Sequence, residues 1–248
     1  MADMFFSGGE AAMETGSRLS SNNITLLSGP PTCGKTSLLF QFAINSALSC
    51  SDRKVVFICS RRRMESNPPH LSQGIDPSSD VFDRIQMKYV EDDEDIKRYL
   101  AAFHLLDAFP AAVVIDDFGD FLDERVCQER YSNARGRDLA MAKILALAHN
   151  ALSLANEKGR CEFVISDTHH GESPRLLFIY KRWVSSIFTV KAILNLLGLV
   201  VADGRGWFLL TSSDGGTSSG RTTAKYSIML QYLCLEGMIT EDDDSQQQ

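Results

Sequence analysis

The chain has 248 residues, 44% of them hydrophobic, and a formal net charge of -7. That length and apolar content suit one α/β domain with little to spare for a second, and the acidic balance excludes a protein that coats nucleic acid non-specifically, because such binding depends on clustered Lys and Arg. The six cysteines form no CxxC pair, which indicates neither a zinc site nor a dithiol redox motif and fits a reduced, intracellular compartment.

Residues 1–21, rich in Gly, Ser and small side chains, read as a flexible arm without the basic flank and long apolar run of a secretory signal. Phe5 and Phe6 stand out within it; a pair of aromatics there serves either as a docking peptide or as a local anchor onto the domain's own surface. No stretch is long and apolar enough to span a bilayer.

Ile24 to Leu27 reads as a buried strand, and Leu38, Leu39, Phe42 and Leu48 give the segment beyond Ser37 helical periodicity. Between them lies Gly29-Pro30-Pro31-Thr32-Cys33-Gly34-Lys35-Thr36-Ser37, with the glycines and lysine of a phosphate-binding loop. Successive backbone N–H groups of such a loop curl around a β-phosphate, and glycine permits the dihedrals and close approach that a side chain blocks. Lys35 is placed to reach the β- and γ-phosphates, Thr36 to ligate Mg²⁺, and the positive end of the following helix faces the anion. This combination predicts a bound nucleotide with Mg²⁺.

Lys54 to Cys59 reads as a second buried strand, running directly into Ser60-Arg61-Arg62-Arg63. Asn67 to Ser79, with three of the seven prolines, reads as a loop. Ile85 to Val90 is a further strand, after which Glu91 to Asp95 opens a helix with Ile96, Leu100, Phe103 and Leu106 on its apolar side. The acidic run reads as a solvated first turn favoured by the helix dipole, not a metal site.

Ala111 to Asp117 is a buried apolar run ending in acid. In phosphate-loop proteins a carboxylate at that place holds Mg²⁺ through water, and Asp116, rather than Asp117, is expected to face inward. An arginine-dense stretch from Arg125 to Arg137 leads into a long helix with Leu139, Ile144, Leu145, Ala148 and Leu152 on one side. Phe163 to Thr168 is another buried strand, followed by His169 and His170 in a polar turn. Neighbouring positions point different ways and have no partner at ligand spacing, so the histidines read as loop or solvent-exposed residues. Ser185 to Val190, Trp207 to Thr211 and Tyr226 to Leu235 are candidate strands of an antiparallel extension, and residues 241–248 read as an acidic disordered tail.

In the order of these elements the chain resembles the RecA-like recombinase family of ATPases. The phosphate loop, Val113 to Asp116, and the span from Arg135 to Ser166 lie at that family's distances, and the resemblance covers about Ile24 to Lys191. The arginines directly after Val56-Phe57-Ile58 narrow it to the small recombinase paralogues that associate with a SWIM-domain protein in Shu-type complexes. The resemblance implies an α/β, RecA-like P-loop NTPase core over residues 22–240, with a mostly parallel central sheet flanked by helices and a C-terminal antiparallel extension. It further implies an ATP-binding accessory factor of homologous recombination and DNA repair, nuclear and with a possible meiotic role, acting as a hetero-oligomer with a SWIM-domain protein, a strand-exchange recombinase and single-stranded DNA.

Three departures qualify what carries over. The family's catalytic glutamate follows the second strand, where this chain has Ser60-Arg61; a cation cannot activate water as a carboxylate does, so hydrolysis is expected to be slow or absent. Nucleotide then serves the fold or an interface, since a ligand at about a hundredfold over its dissociation constant adds roughly 2.7 kcal/mol to the folded state. The first DNA loop is similar to Asn133-Ala134-Arg135-Gly136-Arg137, and the second is shortened to the seven residues from His169 to Arg175, which weakens any case for strand exchange. Arg130, Arg135, Arg137, Lys181 and Arg182 remain as DNA contacts or as partners of the chain's own acids. Finally, a short arm stands where many relatives carry an N-terminal DNA-binding domain, favouring an obligate partner over self-assembly into filaments.

An active phosphate-loop nucleotide or small-molecule kinase, with Arg61 to Arg63 in a lid, is the alternative. A scaffold with a vestigial site is a third reading, against which the intact Gly34-Lys35-Thr36 counts. Strand order separates the first two. A RecA core places another strand between the phosphate-loop strand and the neighbour of the Asp116 strand and carries the antiparallel extension, whereas a kinase inserts a lid.

Overall fold

The computed structural model describes residues 2–6, 23–123, 125–131, 133–171, 176–193, 206–214, 221–229 and 232–241. The expectations for the arm beyond residue 6, for residues 172–175 of the shortened loop, for the Gly/Ser turn at 215–220 and for the tail at 242–248 lie outside the described residues.

After a 3-10 turn at Ala2–Phe5, the chain runs β1 (Ile24–Gly29), α1 (Lys35–Ser49), β2 (Val55–Cys59), α2 (Arg61–Ser66), β3 (Leu71–Ser72) and β4 (Ile85–Tyr89). It continues through α3 (Asp93–Ala101), β5 (Ala112–Ile115), α4 (Asp120–Asp123), α5 (Arg125–Arg130), α6 (Ala134–Lys158) and β6 (Glu162–Thr168). Last come α7 (Leu177–Trp183), β7 (Ser186–Ile193), β8 (Gly206–Asp214), β9 (Arg221–Met229) and β10 (Tyr232–Glu241). Among the described residues the strands form one sheet in the order β3-β10-β9-β8-β7-β1-β6-β5-β2-β4. The pairs from β7 through β1, β6, β5 and β2 to β4 are parallel, and β7 to β10 pair antiparallel.

The apolar runs of β1, β2, β5 and β6 are buried on both faces, as a sheet covered on two sides requires. Alternate side chains divide between two cores. Leu27, Val55, Phe57, Val114 and Val164 pack against Leu38, Leu39 and Phe42 of α1. Leu26, Val56, Ile58, Val113 and Ile165 pack on the other face, against Ile96 of α3 and Met141, Ile144 and Leu145 of α6.

Several expectations need correcting. Leu48 and Leu139 are 61% and 56% exposed and belong to the outer faces of α1 and α6. Tyr226 to Leu235 is not one strand but the turn region of the β9–β10 hairpin. The Asn67 to Ser79 loop contains β3, which pairs in parallel with Tyr232 and Leu233 at the far edge of the sheet. Asp92 caps α3 by accepting from the N–H groups of Glu94 and Asp95, as expected of an acidic first turn. Asp93, however, is fully buried and paired with Lys97 at 2.6 Å and Arg130 at 2.6 Å, so the run is not simply solvated.

Phe5 and Phe6 are buried, which removes them as exposed interface residues. The Phe5 ring meets Phe188 edge-on at 5.3 Å between centroids, and Phe6 lies 5.7 Å from Tyr226. Asn45 clasps the turn, donating to the Met4 carbonyl at 3.0 Å and the Phe6 carbonyl at 2.9 Å.

Candidate nucleotide site

The phosphate loop leaves β1 at Gly29 and enters α1 at Lys35. Gly34 has φ 83°, the left-handed region that glycine adopts without penalty, and a Cβ there would collide with Ile228 of β9. At Gly29 a Cβ would fall 2.7 Å from Cys33 Sγ and 2.8 Å from Val190 Cβ. Packing therefore fixes both glycines, and backbone geometry fixes Gly34 as well. Buried Tyr226, on β9, donates its hydroxyl to the Cys33 carbonyl at 2.7 Å, so the antiparallel extension braces the loop from below. The first backbone hydrogen bond of α1 runs from Leu38 N–H to the Gly34 carbonyl. The N–H groups preceding it have no partner within the helix, as at any helix start, and these are the groups an anion uses.

Lys35, 5% exposed, donates to the Pro30 carbonyl at 3.1 Å and lies 3.9 Å from Asp117 Oδ1. The Thr36 hydroxyl donates to Asp116 Oδ2 at 2.8 Å, and the Ser166 hydroxyl of β6 donates to Asp116 Oδ1 at 2.9 Å. Asp116 is buried, and burial together with the neighbouring Asp117 charge pushes its carboxyl up to about 6, against the hydrogen bonds from Thr36 and Ser166. Asp117 has φ 47°, turning the chain sharply as it leaves β5. It accepts from Thr168 Oγ1 at 2.6 Å and from Arg63 Nη1 at 3.0 Å, while its N–H donates to Ser166 Oγ at 2.8 Å. Arg63 also pairs with Asp120.

Lys35, Thr36, Arg63, Asp117, Asp120 and Thr168 line a cleft of about 320 Å³, together with Asn67, Pro68, Pro69 and His70. The His70 N–H donates to Ser37 Oγ at 2.9 Å, and β3 follows at once, so residues 67–72 strap across the loop between α2 and the far sheet edge. A second cleft of about 240 Å³ lies on the Asp116 side, lined by Thr36, Cys59, Ser60, Arg63, Met64 and Asn67 among others.

Among the described residues no group of three or more His, Cys, Asp or Glu side chains is set to hold a metal by itself. One hydroxyl and one carboxylate converging beside a phosphate loop instead fit Mg²⁺, which binds through one or two protein oxygens, phosphate and water. Thr36 and Asp116 would hold it, and Gly29 to Ser37 with Lys35 Nζ would hold the phosphates.

His169 is buried rather than solvent-exposed: its Nδ1 lies 2.7 Å from Ser28 Oγ, and its N–H donates to the Gly29 carbonyl at 3.1 Å. Burial, with Lys35 nearby, holds its pKa low. His170 is exposed.

The five cations proposed for DNA lie on three helices, α5, α6 and α7. Arg130 is committed to Asp92 at 2.8 Å and Asp93 at 2.6 Å, the pairing with the chain's own acids left open by the sequence. Arg135 and Arg137 stand in the first turn of α6, while Lys181 and Arg182 end α7. Among the described residues none of these four has a carboxylate partner within 4.0 Å. In the sequence Arg63 enters only as part of a kinase lid, and Asp117, Asp120, Ser166 and Thr168 are site residues that the sequence does not point to. The polar ending Ser166-Asp167-Thr168 on an otherwise apolar strand was the available signal for the last two.

The β5-β6-β1-β7 core, the phosphate loop entering α1 and the antiparallel extension define a RecA-like fold. The chain is similar to the crystal structure of the RadB recombinase, with a TM-score of 0.57 over 86% of this chain and 90% of that one, at 16% identity. In sequence, no protein-family model matches the chain and no curated protein matches it. The likeness is one of fold. Among the described residues no helix is long and apolar enough to cross a membrane.

Proposed function

We propose that this chain is a nuclear, ATP-binding accessory factor of homologous recombination. It pairs with a SWIM-domain protein, binds single-stranded DNA and supports recombinase filaments, with little or no ATP hydrolysis. The observation that carries the reading is the pairing of a complete phosphate loop with a cation beyond β2: Thr36 and Asp116 are joined at 2.8 Å, while Ser60 and the arginines of α2 follow the strand. The remaining acids of the cleft are engaged. Asp117 is held by Arg63 and Thr168, and Asp120 by Arg63. A general base needs a carboxylate free to take a proton from the attacking water, and among the described residues the two clefts are lined by no acid besides Asp116, Asp117 and Asp120.

The DNA reading rests on Arg135, Arg137, Lys181 and Arg182, which carry charge outward without ion-pair partners among the described residues. The partner reading is supported by exposed Leu235, Met238 and Ile239 on β10. Beyond Leu233, β10 has no strand on its outer side among the described residues.

Co-expression with a SWIM-domain protein, followed by purification and single-stranded DNA binding, tests this. Stable co-purification, with DNA affinity that falls in the Arg135→Ala/Arg137→Ala variant, supports the reading. A lone chain that phosphorylates a small acceptor, and loses this in Lys35→Ala, replaces it with the kinase alternative.

A further inference from the structure

Three consecutive arginines begin α2, and the helix sends each in a different direction. The Arg61 guanidinium lies over the Tyr89 ring at 4.4 Å, Arg62 is exposed, and only Arg63 enters the nucleotide cleft. Its position within the cleft is informative. A nucleotide's metal would be held by Thr36 and Asp116, toward the terminal-phosphate end of the loop, and Arg63 lines both clefts that share Thr36, next to Asp117. It therefore stands at the terminal-phosphate end of the loop.

Resting on the nucleotide-binding reading above, we propose that Arg63 contacts the terminal phosphate of a bound nucleoside triphosphate from within the same chain. Through this contact it sets a preference for triphosphate over diphosphate. Its present partners, Asp117 and Asp120, hold the guanidinium as two carboxylates hold an arginine fork, a geometry that phosphate oxygens reproduce. The side chain is 45% exposed, so exchanging a carboxylate for a phosphate oxygen needs no repacking of the core. The backbone beneath it is fixed at both ends. Ser60 leaves β2 directly into α2, and the strap beyond is pinned by the His70–Ser37 hydrogen bond and by β3. A preorganised cation gives more differential binding than one that must be ordered on contact.

The test is titration of the full chain with Mg·ATP and with Mg·ADP, for wild type, Arg61→Ala, Arg63→Ala, Arg63→Lys and Lys35→Ala. Removing Arg63 also takes an arginine partner from Asp117 and Asp120, which weakens both nucleotides, so the ratio of the two affinities is the readout. Arg63→Ala is expected to lower the ATP-to-ADP affinity ratio about tenfold, the size of one charge-assisted contact. Arg63→Lys should restore part of that ratio and Arg61→Ala should leave it unchanged. An unchanged ratio in Arg63→Ala overturns the inference while the nucleotide site stands. Wild type that binds neither nucleotide, with Lys35→Ala no different, overturns the underlying reading instead.

Discussion

Thr36 and Asp116, eighty residues apart in sequence, meet through a 2.8 Å hydrogen bond that ties the first turn of α1 to the end of β5. The bond joins the hydroxyl and the carboxylate that would hold a phosphate-bound magnesium. Thr36→Val keeps the shape and removes the hydroxyl. It is expected to weaken Mg·ATP binding by about 10–100-fold, the usual cost of disturbing a metal ligand or its support, while destabilising the fold by about 1 kcal/mol. Calorimetric titration and urea unfolding separate the two effects.

Gly34 carries two independent constraints, its φ of 83° and the Ile228 side chain where a Cβ would stand. Gly34→Ala is expected to cost about 2–3 kcal/mol from backbone strain and overpacking together. Adding Ile228→Ala relieves the overpacking alone, so a double-mutant cycle should give a coupling of about 1 kcal/mol in the rescuing direction. Additive losses would show that Ile228 does not press on the loop.

Asp167 is buried at the end of β6, and burial pushes its carboxyl up to about 6. A group whose pKa rises on folding supports the folded state fully below its unfolded value, and that support is lost as pH rises through the folded value. Asp167→Asn cannot ionise, so it is expected to be more stable than wild type at pH 8 by on the order of 2 kcal/mol. The advantage should disappear as pH falls from about 6 to about 4. Urea midpoints across that range measure it; a constant difference at all pH values would contradict the assignment.

The aromatic anchor at the N-terminus gives a stability prediction. Phe5 is wholly buried against Phe42 and Phe188, so Phe5→Ala should destabilise by about 3–4 kcal/mol as a large-to-small core change. Because the neighbouring Phe6 ring lies against Tyr226, which holds the Cys33 carbonyl, weaker nucleotide binding should accompany the loss. Thermal unfolding with and without Mg·ATP detects both.

The strands were readable because Val113 to Ile115 and Phe163 to Ile165 are apolar runs that demand burial on both faces. The phosphate loop was readable because its chemistry is local: nine consecutive residues contain the glycines, the lysine and the hydroxyl. What escaped depends on contacts between distant segments. Arg63 becomes a site residue only because β2 lies beside β5 in the sheet, bringing α2 over Asp117. Leu71 and Ser72 become a strand only because β10 supplies an edge. Whether Arg130 faces DNA or the chain's own acids is open in the sequence, because its partners Asp92 and Asp93 lie far back in the chain. Leu48 and Leu139 match a helical period yet face outward, since periodicity alone does not say which apolar residues reach the core.

The most direct test of the account is single-turnover incubation of the isolated chain with Mg·ATP, measuring bound nucleotide and released phosphate for wild type and Lys35→Ala, with and without single-stranded DNA. Saturable ATP binding that disappears in Lys35→Ala, with phosphate release near the uncatalysed background, is the predicted result. Rapid turnover abolished by Lys35→Ala would show that a general base operates despite Ser60 and Arg61, and would contradict the claim that this site binds nucleotide without consuming it.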